Sequence, residues 1–315
     1  MRIVLWASPA SRRAMNARLT QIAGAAVINA TSEAEVLAAL SEADVLTLQV
    51  FNYTAAIAKA ARENAPKLRF FQLLTVGYDR LLKEKIPDTL TIATAGESLS
   101  PVVAEHALAL ILALQRRVPE SLTLQAQRKW DSSVMGRMAS LDRKTIAVVG
   151  FGSIGREIGR MAKAFGARVI GVSRSAKPSP HADVVRPIKE LDAVLAEADI
   201  VAIATPLTDE TKGMFDAARI ARMKDGAFLV NIARGPVADT TALAAALVSG
   251  KLAGAGLDVT DPEPPPPDHP IWTAPNLILT PHVAVGGASA ALAAFAGDNI
   301  ERFMRGEPPQ AVVKL

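Results

Sequence analysis

The sequence predicts a two-domain α/β protein built on parallel sheets, and three observations carry that prediction. Its 315 residues exceed one ordinary core, since domains run to about 100 to 200 residues. Short apolar runs alternate with helical patterns along most of the chain. A glycine-rich turn near the middle lies between a β-branched run and a helical pattern. Half the residues are hydrophobic, so two cores can be filled.

The first series of elements begins at once. Residues 3–5, 26–28, 45–50 and 68–74 read as strands, separated by helical stretches such as 32–41, which opens on the capping pair Ser32 and Glu35. A long apolar helix is expected over 101–117, followed by a polar connection through Trp130 to Arg143 that leads into a fresh strand series. In that series 146–149, 168–172, 200–204, 228–232, 255–259 and 277–279 are short strands with helices between them, the pattern of a doubly wound nucleotide-binding sheet. The last segment, 288–304, has helical spacing and stops at Arg305 and Gly306. It is expected to return to the first domain. The division is therefore 1–98 with 285–315 as one domain and 99–284 as the other. Prolines 264–267 read as a stiff loop rather than a ligand for proline-reading modules.

Composition excludes several classes of function. With no cysteine there are no disulfides, thiolate zinc sites or cysteine nucleophiles, and no metal site is expected. The formal charge of +4 is carried by scattered basic residues, and two tyrosines are too few for interleaved stacking, so nucleic acid is not an expected partner. The opening Met-Arg-Ile-Val-Leu-Trp reads directly as a strand, and no run approaches about 18 apolar residues, so neither a leader nor a membrane span is expected and the cytoplasm is the default.

The central turn is Gly150-Phe-Gly152-Ser-Ile-Gly155, placed after a strand and before a helix. Gly150 permits the tight turn, Gly152 lets the backbone approach a pyrophosphate, and Gly155 allows close helix–strand packing. The helix N-terminus, from Ser153 and Ile154, supplies N–H donors. An NAD-specific site would place a carboxylate about 20 residues on, at the end of the second strand. Here the sequence has Ser173 and Arg174. A hydroxyl and a guanidinium both suit a 2′-phosphate, so NADPH is expected to be preferred, with NAD also accepted.

Three later segments each follow an expected strand: Asn231-Ile-Ala233-Arg234-Gly, Asp258-Val-Thr-Asp-Pro-Glu263-Pro and Thr280-Pro-His282. Residues past strand ends converge on the ligand side of an open sheet. Reduction of a 2-oxo acid needs a cation to hold the carboxylate and polarise the ketone, an acid to protonate the oxygen, and a carboxylate to keep that acid protonated. Arginine, histidine and glutamate can supply these. Singly, each residue has an ordinary reading, as a surface charge, a turn or a loop histidine.

Together, in this order and spacing, these motifs strongly resemble the D-isomer-specific 2-hydroxyacid dehydrogenases, most closely the glyoxylate and hydroxypyruvate reductases. The resemblance spans nearly the whole chain. It implies a Rossmann-type doubly wound sheet inserted into a flavodoxin-like substrate domain, with the active site in the cleft between domains, and it suggests a homodimer. By the resemblance, Arg234 binds the substrate carboxylate and carbonyl, His282 is the general acid and base, and Glu263 holds the imidazole. It also implies cofactor contacts at Gly150, Gly152, Ser153, Ile154, Gly155, Ser173, Arg174, Thr205, Pro206, Ala233 and Asp258, with Asp258 orienting the nicotinamide carboxamide. The resemblance further implies that Thr75, Val76 and Gly77 of the first domain form the substrate-binding loop, with the N–H groups of Val76 and Gly77 gripping the carboxylate. Trp130 resembles a tryptophan that such proteins often place near the substrate, and packing is an equal reading. His106, at the start of the long helix, is read as structural, while His181 and His269 lie in proline-flanked loops and are assigned no role.

The sequence also departs from the family pattern. The stretch from Gly96 to Glu105 lacks the asparagine common there and is one residue longer. Thr75 stands where phosphite-oxidising relatives have lysine, and no regulatory domain follows Leu315. Two rival readings follow. Oxidation of formate on the same scaffold is opposed by Glu263, which that branch replaces with an amide. A nucleotide-sensing regulator without catalysis need not retain Arg234, Glu263 and His282.

Overall fold

The computed structural model describes residues 1–314 and divides into two compact units, one formed by 1–99 with the segment from Val285 onward, the other by Ser100–Ala284. Along the chain the first unit begins with β1 (Arg2–Trp6), α1 (Pro9–Leu19), β2 (Ala26–Ala30), α2 (Glu33–Leu40), β3 (Val45–Leu48), α3 (Ala55–Glu63), β4 (Phe70–Leu73), α4 (Asp79–Glu84) and β5 (Thr91–Ala93). The second unit follows with α5 (Ser100–Gln115), α6 (Val118–Ala126), β6 (Thr145–Val149), α7 (Ser153–Ala164), β7 (Arg168–Ser173), β8 (Val184–Pro187), α8 (Leu191–Glu197) and β9 (Ile200–Ile203). It continues through α9 (Ala217–Arg222), β10 (Ala227–Asn231), α10 (Thr240–Val248), β11 (Leu252–Leu257) and β12 (Leu277–Leu279). The chain then returns to the first unit as α11 (Ser289–Met304) and β13 (Val312–Val313).

In the first unit the sheet runs β13-β5-β4-β3-β1-β2, parallel except for the antiparallel pairing of β13 with β5. The order β2-β1-β3-β4-β5 is the flavodoxin-like one. The strands β3 and β4 are buried at every position, as sheets covered on both faces require. α11 packs on α1 and β4. Its buried Asn299 donates to Gln72 Oε1 of β4 at 2.9 Å and to the Gln310 carbonyl at 3.0 Å, and Oδ1 accepts the Gln310 N–H at 2.7 Å. Both ends of that amide are satisfied, as burial demands. At α2 the capping pair is present in altered form. Ser32 Oγ accepts the Glu35 N–H, while the Glu35 carboxylate reaches back one residue further than a capping box, to the N–H and hydroxyl of Thr31.

In the second unit seven parallel strands run β12-β11-β10-β9-β6-β7-β8. Winding starts at β6, proceeds outward through β7 and β8, and resumes on the opposite side at β9, which leaves a switch point between β6 and β9. The amphipathic α7 turns Gly155, Ile158, Gly159 and Ala162 to the sheet, a spacing of three to four residues. The strand expected over 255–259 begins earlier, at Leu252, and ends at Leu257. Its glycines weaken the strand signal but admit α5, since a Cβ on Gly256 would lie 3.0 Å from Leu110 Cβ.

By length and composition alone, one segment resembles a membrane span. The helical segment Gly96–Gln115 is long and apolar enough to cross one, although half of it is buried, and α5 packs on β10, β11 and α7. Mean hydropathy tolerates the isolated polar residues that break its apolar run.

Candidate active site

All three residues expected to carry the chemistry lie past the carboxyl ends of neighbouring strands: Arg234 after β10, Glu263 after β11 and His282 after β12. The first loop is pinned by Asn231, whose amide donates to the Arg234 carbonyl at 3.1 Å and whose oxygen accepts the Ala233 N–H at 3.0 Å. Gly235 packs so tightly on the next loop that a Cβ would fall 1.7 Å from the Thr260 carbonyl oxygen. Only glycine lets the loop bearing Arg234 meet the loop bearing Glu263. The Arg234 guanidinium itself donates to the Ala233 carbonyl at 2.8 Å.

Glu263 and His282 meet. Glu263 Oε1 lies 2.7 Å from His282 Nδ1, between Pro262 and Pro264, both preceded by cis peptides. They line a cavity of about 520 Å³ together with Asp258, Thr260, Trp272 and Thr280. The backbone of His282 has φ of 53°, in the left-handed region that a β-carbon disfavours. Buried Asp258 secures the loop. Its carbonyl accepts the His282 N–H at 2.8 Å, and its carboxylate accepts the N–H groups of Val283 at 2.9 Å and Ala284 at 3.0 Å and the Thr280 hydroxyl at 2.6 Å. The carboxylate assigned by resemblance to the nicotinamide amide also holds residues 280–284, and among the described residues its Oδ2 accepts only the Ala284 N–H.

The glycine turn fits a dinucleotide. Gly150 has φ of 96°, and a Cβ there would strike the Thr205 nitrogen at 2.4 Å, so only glycine closes the turn against the end of β9. That contact sets Thr205 and Pro206 across the switch point from the turn. A Cβ on Gly152 would meet nothing within 4 Å, which leaves open space before the first residues of α7, Ser153 and Ile154, where no side chain caps the helix. Gly155 lies under Gly150, its Cβ position 2.2 Å from the Gly150 carbonyl oxygen. At the end of β7, half-buried Ser173 accepts the Ala176 N–H at 3.2 Å, and Arg174 is exposed beside it. The donor set, with no carboxylate at the strand end, suits a phosphorylated ribose.

Thr75, Val76 and Gly77 follow β4 in the first unit, where Thr75 Oγ1 donates to the Gly77 carbonyl at 3.0 Å and the Thr75 carbonyl accepts the Ala95 N–H at 2.9 Å. Trp130 is fully exposed on the rim of a hollow of about 540 Å³ that runs from Ser121 to Ser132 and contains no histidine or strand-end residue. His269 caps a short helical turn by accepting the Ile271 N–H. His106 is different. Its Nε2 lies 2.9 Å from Thr280 Oγ1, across 174 residues of sequence. No local pattern signals a contact so distant, and its place beside the loop that bears His282 is legible only in the fold. Among the described residues no cluster of three or more possible metal ligands occurs.

Known proteins resemble the chain along most of its length. The profile for the D-isomer specific 2-hydroxyacid dehydrogenase NAD binding domain matches residues 108–284. A glyoxylate reductase of Pyrococcus furiosus is 38% identical over 260 residues, 80% of this chain and 77% of that protein. A hydroxypyruvate reductase of Blautia hydrogenotrophica is 32% identical over 295 residues, 90% and 89% of the two chains. Among solved structures, a D-isomer specific 2-hydroxyacid dehydrogenase family protein of Aeromonas salmonicida superposes with a TM-score of 0.88 at 30% identity, covering 99% of this chain and 98% of the other.

Proposed function

The chain belongs to the D-isomer specific 2-hydroxyacid dehydrogenases, oxidoreductases that bind a nicotinamide cofactor, and from that premise we propose that it reduces glyoxylate or hydroxypyruvate, with NADPH preferred over NADH. The observation that carries the reading is the contact of 2.7 Å between Glu263 and His282 Nδ1 at the wall of the cavity. With Nδ1 engaged, Nε2 is the ring nitrogen left to serve the substrate. In the proposed reaction a bound nicotinamide supplies a hydride to the carbonyl carbon. Arg234 holds the carboxylate and draws electron density toward the carbonyl oxygen, and His282 Nε2–H delivers the proton to that oxygen as the C=O π bond is lost. The product is the 2-hydroxy acid, of D configuration where that carbon is chiral. Glu263 fixes the plane and orientation of the imidazole through its contact with Nδ1. The same proposal assigns the N–H groups of Val76 and Gly77 to the substrate carboxylate and those of Ser153 and Ile154 to the pyrophosphate.

The names of the relatives support glyoxylate and hydroxypyruvate, and Ser173 with Arg174 support NADPH. The proposal includes a homodimer, supported by α6, which buries none of its residues and leaves Val118 and Leu122 exposed. The deciding experiment is a panel of 2-oxo acids against NADPH and NADH, followed by cofactor absorbance. Glyoxylate and hydroxypyruvate should be turned over fastest, and NADPH should give the higher kcat/KM. Tight NADPH binding without turnover of any 2-oxo acid would overturn the reading.

A further inference from the structure

His106 lies in α5, outside every role assigned so far. Its Nε2 stands 2.9 Å from Thr280 Oγ1 and 3.4 Å from Asp258 Oδ1. The Thr280 hydroxyl has a single hydrogen, and at 2.6 Å that hydrogen is given to Asp258 Oδ1, since an ionised carboxylate only accepts. Toward His106 the same oxygen must then accept. The imidazole hydrogen is thereby fixed on Nε2, whether the ring is neutral or charged, and a directed chain results: His106 Nε2–H to Thr280 Oγ1–H to Asp258 Oδ1. The Asp258 side chain at its end is 1% exposed and also holds the Val283 and Ala284 N–H groups. Between Thr280 and Val283 stands His282, in its left-handed backbone conformation. Such a conformation persists where the surroundings over-determine it, and these bonds are the surroundings.

We propose that His106 is a positioning residue for the reaction. Through Thr280 it holds the Asp258 carboxylate, and with it the backbone of 282–284, in the arrangement that aims the His282 ring. His106 touches neither substrate nor cofactor in this scheme. Its donor keeps the Thr280 hydroxyl turned toward Asp258; without that donor the hydroxyl can rotate, and one of the restraints on the loop is lost. The inference rests on the reading of His282 as the acid.

The test compares His106→Phe, which keeps a ring and loses the donor, with His106→Gln, which keeps an N–H donor, and with Thr280→Val, which removes the relay. Glyoxylate reduction by NADPH gives kcat and KM, fluorescence titration gives the NADPH Kd, and melting gives Tm. H106F should lower kcat about ten- to a hundredfold, the worth of a small misplacement of a catalytic group, with Kd and KM within about twofold. H106Q should recover most of the loss. T280V should repeat the H106F defect, and the double variant H106F/T280V should be no worse than either single one, since both break one chain. Full kcat in H106F, equal losses in H106F and H106Q that track Tm, or additive losses in the double variant would each overturn the proposal. If H106F does not fold, H106Q and T280V carry the test: near-normal kcat in T280V overturns it. His282→Ala, measured beside them, separates the two levels. An inactive H282A with a fully active H106F defeats only this inference, whereas an active H282A defeats the functional reading beneath it.

Discussion

Glu263 and His282 are 42% and 46% exposed, and an ion pair at that exposure contributes only about 0 to 1 kcal/mol to stability. Its use is directional: one ring nitrogen is committed, which leaves the other for the proposed proton transfer. Replacing His282 by alanine should therefore leave folding and NADPH affinity nearly unchanged while kcat falls roughly 10² to 10⁴, the usual contribution of a positioned general acid. Collapse of cofactor affinity in the same variant would mark His282 as structural. Arg234→Lys should lose most of kcat/KM for glyoxylate, because a point charge cannot reproduce a planar pair of donors to a carboxylate, and a near-normal value would remove Arg234 from the site. At the ribose end, Ser173→Asp keeps an acceptor for the Ala176 N–H and adds a charge that repels phosphate. Combined with Arg174→Ala, it should shift the ratio of kcat/KM values from NADPH toward NADH, with the rise in KM falling on NADPH. An unchanged ratio would place the phosphate contacts elsewhere.

The strands β6 and β10, which lead into the glycine turn and Arg234, are stitched at their other ends by Asp199. Its carboxylate accepts the Thr145 N–H of β6 at 2.9 Å and the Lys224 ammonium at 2.7 Å, and its carbonyl accepts the Phe228 N–H of β10 at 2.9 Å. Burial is the largest single influence on this carboxyl and would raise its pKa, but the bonds from Lys224 and Thr145, with the charges of Lys224 and Lys144, outweigh it and hold the group below the usual range. A folded pKa below the unfolded one makes the contribution fully present above the unfolded value and lost as the pH falls through the folded one. Asp199→Asn should cost about 1.5 to 3 kcal/mol in urea unfolding near neutral pH, the worth of hydrogen bonds to a charged group. The gap to the parent should close on acidification, and a gap constant with pH would show that the charge contributes nothing.

Elements of this kind were unequally visible in the sequence. The buried strands β6, β9 and β10, continuous apolar runs, lay within a residue or two of where they were expected. β5 has three residues, and β8 is a partly exposed edge strand ending in Pro187; neither offers enough periodicity to detect. α6 is short and buries no residue, and with polar residues between its few apolar ones it read as a connection. In the site, motif spacing singled out Arg234, Glu263 and His282, whereas the bonds from Asp258 to residues 280–284 depend on β11 pairing with β12, and the approach of His106 depends on α5 packing against both strands. That packing is a tertiary event with no local signature.

Across the whole molecule, one unit is continuous from Ser100 to Ala284, while the other is completed only from Val285 onward. α11 supplies that completion, through Asn299 on Gln72 and through Arg18 of α1, which bonds Asp298 at 2.9 Å and Glu301 at 3.1 Å. The ribosome releases the chain from its first residue, and domains generally fold as they emerge. The order of completion is therefore the reverse of the order of synthesis: the segment translated first must wait, with the faces that α11 will cover still open, until after the nucleotide-binding unit has closed. Chains stalled on the ribosome with Ala284 just clear of the exit tunnel should resist brief proteolysis over 100–284 and be cut within 1–99, and release of about 30 further residues should protect both, within the reach of a tunnel-length series. Equal early protection of 1–99 would mean that α1 and β4 find a stable state without α11. In the cell, the interval before α11 arrives is when the first unit is open to chaperones and to misassembly with other nascent copies.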